Sequence, residues 1–172
     1  LSDTGPDVPR NVAFAVKDEV EKYFSNRGYP TYEQAIHQFA EEHPLWAPVY
    51  HHLYAYHGLK WNWADRLVPK ADPGLRWITS AATRGEIDQL WSSAAEVRAP
   101  TLLMRGMRPN ALAFVSDDTV YRLESLIPDF SVRRMNTGHY VPFEDSNGFV
   151  RESTAFVRDV SRGFEPDSTE SA

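Results

Sequence analysis

The sequence predicts an α/β protein: a run of helices, then a strand–helix–strand–helix unit with parallel strands flanked by helices. Three observations carry this. The first part of the chain, through about residue 90, repeats its apolar residues at helical spacing. Thr101 to Met104 is a short apolar run bounded by Pro100 and Gly106, the first strand character in the body of the chain. Phe130, Val132 and Arg134 then alternate with Ser131 and Arg133 at period two, with a helical stretch on either side.

Taken in order, residues 1–10 hold Gly5, Pro6 and Pro9 and read as a loop leaving a strand. Val12 to Asn26 is the first helix, with Val12, Val16, Val20, Tyr23 and Phe24 on one face and Gly28 as its C′ glycine. Thr31 caps a second helix over Tyr32 to Glu42, with Gln34 placed as a capping-box partner. Pro44 interrupts, and a third helix covers Trp46 to Tyr56 and ends at Gly58. Trp61-Asn62-Trp63 follows in an extended or turn conformation. Shorter helices are expected over Trp77 to Ala82 and Gly85 to Ala95. After the first strand, Ser116-Asp117-Asp118 caps a helix over Thr119 to Ile127. After the second strand, a final helix spans Asn147 to Arg162, and the acidic, Ser-rich tail reads as disordered.

Composition narrows the function classes. The chain has 172 residues, 42% apolar and 24% charged, which suits one globular domain. A net charge of -6 gives no nucleic-acid footprint. No apolar run reaches the roughly 20 residues of a membrane helix, so no membrane partner is expected. The opening Leu1-Ser2-Asp3-Thr4-Gly5-Pro6 has neither the basic nor the apolar region of a signal peptide. The chain has no cysteine, which excludes disulfides, thiolate catalysis and cysteine metal sites and is compatible with a cytoplasmic protein.

The strongest chemical signal is Asn136-Thr137-Gly138-His139-Tyr140-Val141-Pro142-Phe143-Glu144. It puts a histidine on a glycine turn directly after a strand, with Pro142 fixing the exit. Together with Ala99-Pro100-Thr101-Leu102-Leu103-Met104-Arg105-Gly106, this stretch resembles the last two strands of an α/β-hydrolase. The resemblance is specific from Trp91 to Val160 and looser before it. It implies the C-terminal portion of an α/β-hydrolase fold, a parallel sheet flanked by helices, with a helical cap. Residues 1–10 are then the end of a core strand and a loop, 11–90 the cap or lid, 91–163 the C-terminal part of the core, and 164–172 the tail. His139 becomes the catalytic histidine, general base toward a nucleophile and then general acid toward the leaving group.

The nucleophile of that family sits on a Gly-x-Ser-x-Gly turn, and this chain has no such turn. The resemblance therefore implies a missing N-terminal segment, on a separate chain or a nicked piece, as partner. Strand count points the same way, because two or three strands make no stable sheet alone and parallel strands need cover on both faces. The edge at Thr101 to Met104 is expected to be bare in an isolated chain. A homo-oligomer is a further expectation.

The acid departs from the family pattern. Its usual position, four residues after Gly106, is Asn110. An amide hydrogen-bonds an imidazole but cannot balance the charge of an imidazolium, and the equivalent change in serine-protease triads costs about 10⁴ in turnover. The acid is relocated to Asp3 at the end of the preceding strand, or the chain is an inactivated variant, or the histidine works without a full triad. Asp117 and Asp118 read as helix caps.

The cap is strongly aromatic. Trp46, Tyr50, Tyr54, Trp61 and Trp63, with His51 beside Tyr50, are the candidate substrate-binding residues of an apolar lid. His37, His43, His51, His52 and His57 lack the spacing of a metal site, so no metal is expected. Arg105, Arg108, Arg133 and Arg134 read as a solvated or salt-bridged rim.

The implied activity is hydrolysis of a small hydrophobic ester or lactone, with no cofactor. A carbon–carbon bond hydrolase, a haloalkane dehalogenase or an epoxide hydrolase would use the same fold. A binding protein without activity is the alternative from another class, and Asn110 keeps it open.

Overall fold

A computed structural model describes residues 1–77, 84–109 and 111–163. Three helices open it: α1 (Arg10–Ser25), α2 (Tyr32–Glu42) and α3 (Pro48–Gly58). A hairpin follows, β1 (Leu59–Trp61) antiparallel to β2 (Leu67–Pro69), and then a 3₁₀ turn at Pro73–Trp77. The second part contains α4 (Arg84–Ala94), β3 (Thr101–Gly106), α5 (Asp117–Leu126), β4 (Phe130–Met135), α6 (Val141–Glu144) and α7 (Ser146–Arg162). The helix expected over Trp77 to Ala82 and the tail expected over 164–172 fall almost wholly outside the described residues. No described helix is long and apolar enough to cross a membrane.

Strands β3 and β4 pair in parallel, from Thr101 opposite Phe130 to Gly106 opposite Met135. The other edge of β3 is not bare, contrary to expectation. The Leu1 amine donates to the Leu102 carbonyl, the Met104 N–H to Leu1, and the Asp3 N–H to Met104. Residues 1–3 thus lie beside β3 as a further parallel element, bridged at Ser2 and Met104.

Because β3 is flanked on both sides, its side chains are buried on both faces, as in an interior parallel strand. Leu102 and Met104 pack with Met135 and Val141 against Phe149 and Phe156 of α7. Leu103, on the opposite face, packs with Val115 and Val120 against Phe130 and Val132. Trp91 lies in a third cluster with Ala94, Leu123 and Ile127. A separate cluster of Ala35, Phe39, Ala55, Leu59 and Leu67 holds α2, α3 and the hairpin together.

Local chemistry explains most boundaries. The Thr31 hydroxyl accepts from the Gln34 N–H at 3.3 Å and starts α2. Asp145 starts α7 through the Gly148 N–H at 2.9 Å. Three expectations are corrected. The third helix begins at Pro48, not Trp46, because proline at the first helical position needs no donor and fixes φ for the helix. The cap contains strands: each strand of its hairpin has three residues, too short to show a period, and the turn is held by Asn62 Oδ1 accepting from Ala64 and Arg66. Gly28 is not the C′ residue of α1, which ends extended at Asn26. Its φ of +87° instead lets the backbone run close against Arg66, Leu67 and Val68, where a Cβ would meet atoms at 2.9 Å.

Candidate active site

The site forms where three chain segments end side by side: residues 1–3, β3 and β4. The loop after β3 is tied to the loop after β4 by Met107 N–H to Met135 O at 2.8 Å and Arg108 N–H to Thr137 O at 2.9 Å. Gly106 lies so close to Gly138 that a Cβ there would sit 2.1 Å from the Gly138 carbonyl oxygen. Only glycine permits that approach. It sets His139 at the end of the sheet, with its side chain 30% exposed.

His139 Nδ1 stands 3.2 Å from Asp3 Oδ2. Asp3 is 1% exposed, and its other oxygen accepts from the Gly106 N–H at 3.1 Å. A buried carboxylate requires such partners. Asp3 has φ +45°, a left-handed conformation that aspartate adopts more readily than most residues. This conformation follows directly on its N–H bond to the Met104 carbonyl, at the point where the extended segment turns away from the sheet.

The histidine loop is braced from behind. Glu144 Oε2 accepts from the Gly138 N–H at 2.8 Å and pairs with Arg108 Nη1 at 2.5 Å. Arg108 also donates to the Asn136 carbonyl. The Phe114 ring stacks on the imidazole at 3.5 Å between centroids and 12° between planes. Among the described residues, Nε2 of His139 has no hydrogen-bond partner. A carboxylate on Nδ1 holds the tautomer with its proton there, leaving the Nε2 lone pair able to take a proton.

A cleft of about 560 Å³ opens beside this ring, lined by His139, Phe114 and Tyr140 from the core and by α1, α2 and α3 residues from the cap. Tyr54 belongs to that lining. The other aromatic candidates lie elsewhere. Trp46 is buried between cap and core, stacked on His43 at 4.0 Å and edge-on to Tyr140 and Phe143. Tyr50 packs on Phe143 at 5.0 Å. His51 is buried with Nε2 held 2.9 Å from the His43 carbonyl oxygen, so that nitrogen is already occupied. Trp61 is half exposed on the hairpin beside Tyr32, and Trp63 is 97% exposed. Asn110 lies outside the described residues.

Asp117 and Asp118 are in the first turn of α5 rather than its cap, which is Ser116. Asp117 is bonded to Arg105, whose hydrogen bond, and then its charge, holds the carboxyl below the usual range. Arg105 is itself buried in β3, not on a rim, while Arg108 and Arg133 pair with Glu144 and Glu152.

Phe114, Tyr140, Glu19 and His43 were not singled out by the sequence pattern as site residues. Only Tyr140 had a usable signal, its place next to His139. Burial pushes the Tyr140 and Tyr54 phenols up, with the Glu19 charge adding to both. Tyr29 is pushed to about 12, again chiefly by burial. Burial lowers His43, against the opposing pull of Glu19 and Glu42.

No family model matches the chain, and no curated protein matches it significantly. Solved structures do. It superposes on E-2-(acetamidomethylene)succinate hydrolase with TM-score 0.72 at 19% identity, covering 88% of this chain and 53% of that one. An esterase from Mycobacterium tuberculosis gives 0.69 at 16% identity, covering 92% and 53%. A peroxisomal α/β-hydrolase from Saccharomyces cerevisiae gives 0.70 at 10% identity, covering 99% and 44%. The chain spans about half the length of the structures it matches. At these identities the likeness establishes the fold alone: part of an α/β-hydrolase fold, a small parallel sheet with flanking helices and a helical cap.

Proposed function

We propose that this chain, which has the α/β-hydrolase fold, supplies the histidine and the acid of a hydrolase acting on a small hydrophobic ester or lactone. The observation that carries the reading is the Asp3–His139 pair, 3.2 Å apart at the ends of the two segments that flank β3, with His139 bordering a cleft. Asp3 takes the role that Asn110 cannot fill by charge. In this reading the nucleophile and the oxyanion-hole amides lie on a segment N-terminal to residue 1. His139 Nε2 removes the nucleophile's proton as the nucleophile attacks the acyl carbon, and gives it to the departing alkoxide; water then displaces the acyl group from the nucleophile by the same pair of proton transfers, which releases the acid and restores the nucleophile. Asp3 stabilises the imidazolium between those two transfers.

The cleft volume fits a small-molecule site. Its aromatic walls favour an apolar acyl or alcohol group, and the reaction needs no cofactor. The test is hydrolysis of p-nitrophenyl acetate and butyrate by the full-length protein. His139→Ala should lower kcat by at least about 10³. An unchanged kcat in that variant would remove the histidine, and with it this reading.

A further inference from the structure

The cap side of the cleft carries a charge pattern that a purely apolar lid would not need. Glu19 of α1 accepts from the Tyr140 hydroxyl at 3.2 Å, which fixes its carboxylate at the cleft wall. The rings of Tyr23 and Tyr54 lie next to it in the lining, 6.5 Å apart and tilted by 50°. Among the described residues, the lining has one basic side chain other than histidine, Lys22, and Glu42 already binds it at 2.7 Å. No arginine lies among the described lining residues. His43 is held toward its neutral form by burial. Lys22 also feels the Glu19 charge, but its ion pair is with Glu42, which leaves Glu19 without a salt-bridge partner among the described residues. Its field reaches Tyr54, Tyr140 and His43, each of which responds to it electrostatically.

A carboxylate beside tyrosine faces suits a cation. The rings offer their negative faces, the carboxylate offers a counter-charge, and an anion finds no unpaired lysine or arginine among the described lining residues. The geometry points to a cleft that selects substrates carrying an alkylammonium group and discriminates against carboxylate-bearing ones, with Glu19 as the specificity-determining residue. This deepens the proposed hydrolase reading and rests on it for the word substrate. The binding preference itself is independent of turnover.

The test uses three non-hydrolysable probes of one shape on the full-length protein: choline, 3,3-dimethylbutan-1-ol and 3,3-dimethylbutanoate. Binding is followed by intrinsic fluorescence and by NMR shifts of the His139 ring. Choline should bind about fivefold to tenfold more tightly than the neutral alcohol, from an exposed carboxylate and ring faces together. The carboxylate should bind most weakly. Glu19→Gln, on an exposed helix position, should abolish the difference between choline and the alcohol while leaving circular dichroism unchanged. Equal binding of all three probes, tighter binding of the carboxylate, or a preference that survives Glu19→Gln would each overturn the inference. Ester hydrolysis is measured separately. Hydrolysis without the choline preference defeats only this inference, and the preference without hydrolysis defeats only the functional reading.

Discussion

The histidine loop and the cap wall opposite it are held in place by different forces. The loop is fixed by directional polar contacts: Asp3 on the imidazole, Glu144 on the Gly138 amide, and Arg108 on both Glu144 and the Asn136 carbonyl. The cap is fixed by ring packing. Trp46 is the clearest case, stacked on His43 and edge-on to Tyr54, Tyr140 and Phe143. One backbone bond, Ala47 N–H to Phe143 O at 3.0 Å, joins the two regions beside it. Polar contacts fix an orientation closely, whereas ring packing fixes a volume. The first suits a proton-transfer group and the second a substrate wall.

Replacing Trp46 should separate the two regions most strongly. Trp46→Ala removes a nearly buried indole from the cap–core junction and should cost about 3 to 4 kcal/mol in urea unfolding. A cost below about 1 kcal/mol would mean that the cap and core do not share this packing. Glu144→Ala attacks the other side. It strands the buried Gly138 N–H, leaves Arg108 only the Asn136 carbonyl, and should cost about 2 kcal/mol, with a further loss in kcat because the histidine loop loosens. A loss of stability without any loss in kcat would mean that Glu144 does not position His139.

The smallest effect is in pH. His43 is depressed below its ordinary 6.5 by burial, helped by His51 and Lys22 and opposed by Glu19 and Glu42. A histidine lowered on folding stabilises the protein fully above its unfolded value, and that contribution is lost as pH falls from there through the folded value. Stability should therefore decline modestly as pH falls from just above 6.5 through the lower folded value. His43→Asn should flatten the slope in that window. A slope identical in the variant would show that His43 is not its source.

The same contrast explains how much the sequence reveals. The histidine loop is contiguous, so Gly138, His139 and Pro142 can be read together, and strand periodicity places it correctly. The Asp3–His139 pair spans nearly the whole chain. Periodicity cannot bring those residues together, and only the family resemblance offers Asp3, as one of three explanations for Asn110. Phe114 sits in an irregular loop and has no pattern to betray its stacking on the imidazole. In the cap, helix spacing located α1, α2 and α3, yet it could not say which aromatic residues line the cleft. Tyr54 does, whereas Trp63 points to solvent, because ring orientation depends on how the helices and hairpin pack. The charge of Arg105 suggests a rim position. Its burial follows from the interior position of β3, which only the pairing of residues 1–3 reveals.

The central claim is that Asp3 serves as the acid for His139. The most direct measurement is kcat of the full-length protein with Asp3→Asn, beside Asn110→Asp. Asparagine tolerates the left-handed conformation at position 3, so the fold should be retained while the charge is lost. Asp3→Asn should lower kcat by about 10⁴, and Asn110→Asp should change it little. An Asp3→Asn variant within tenfold of the parent, or a large gain on Asn110→Asp, would contradict that role for Asp3.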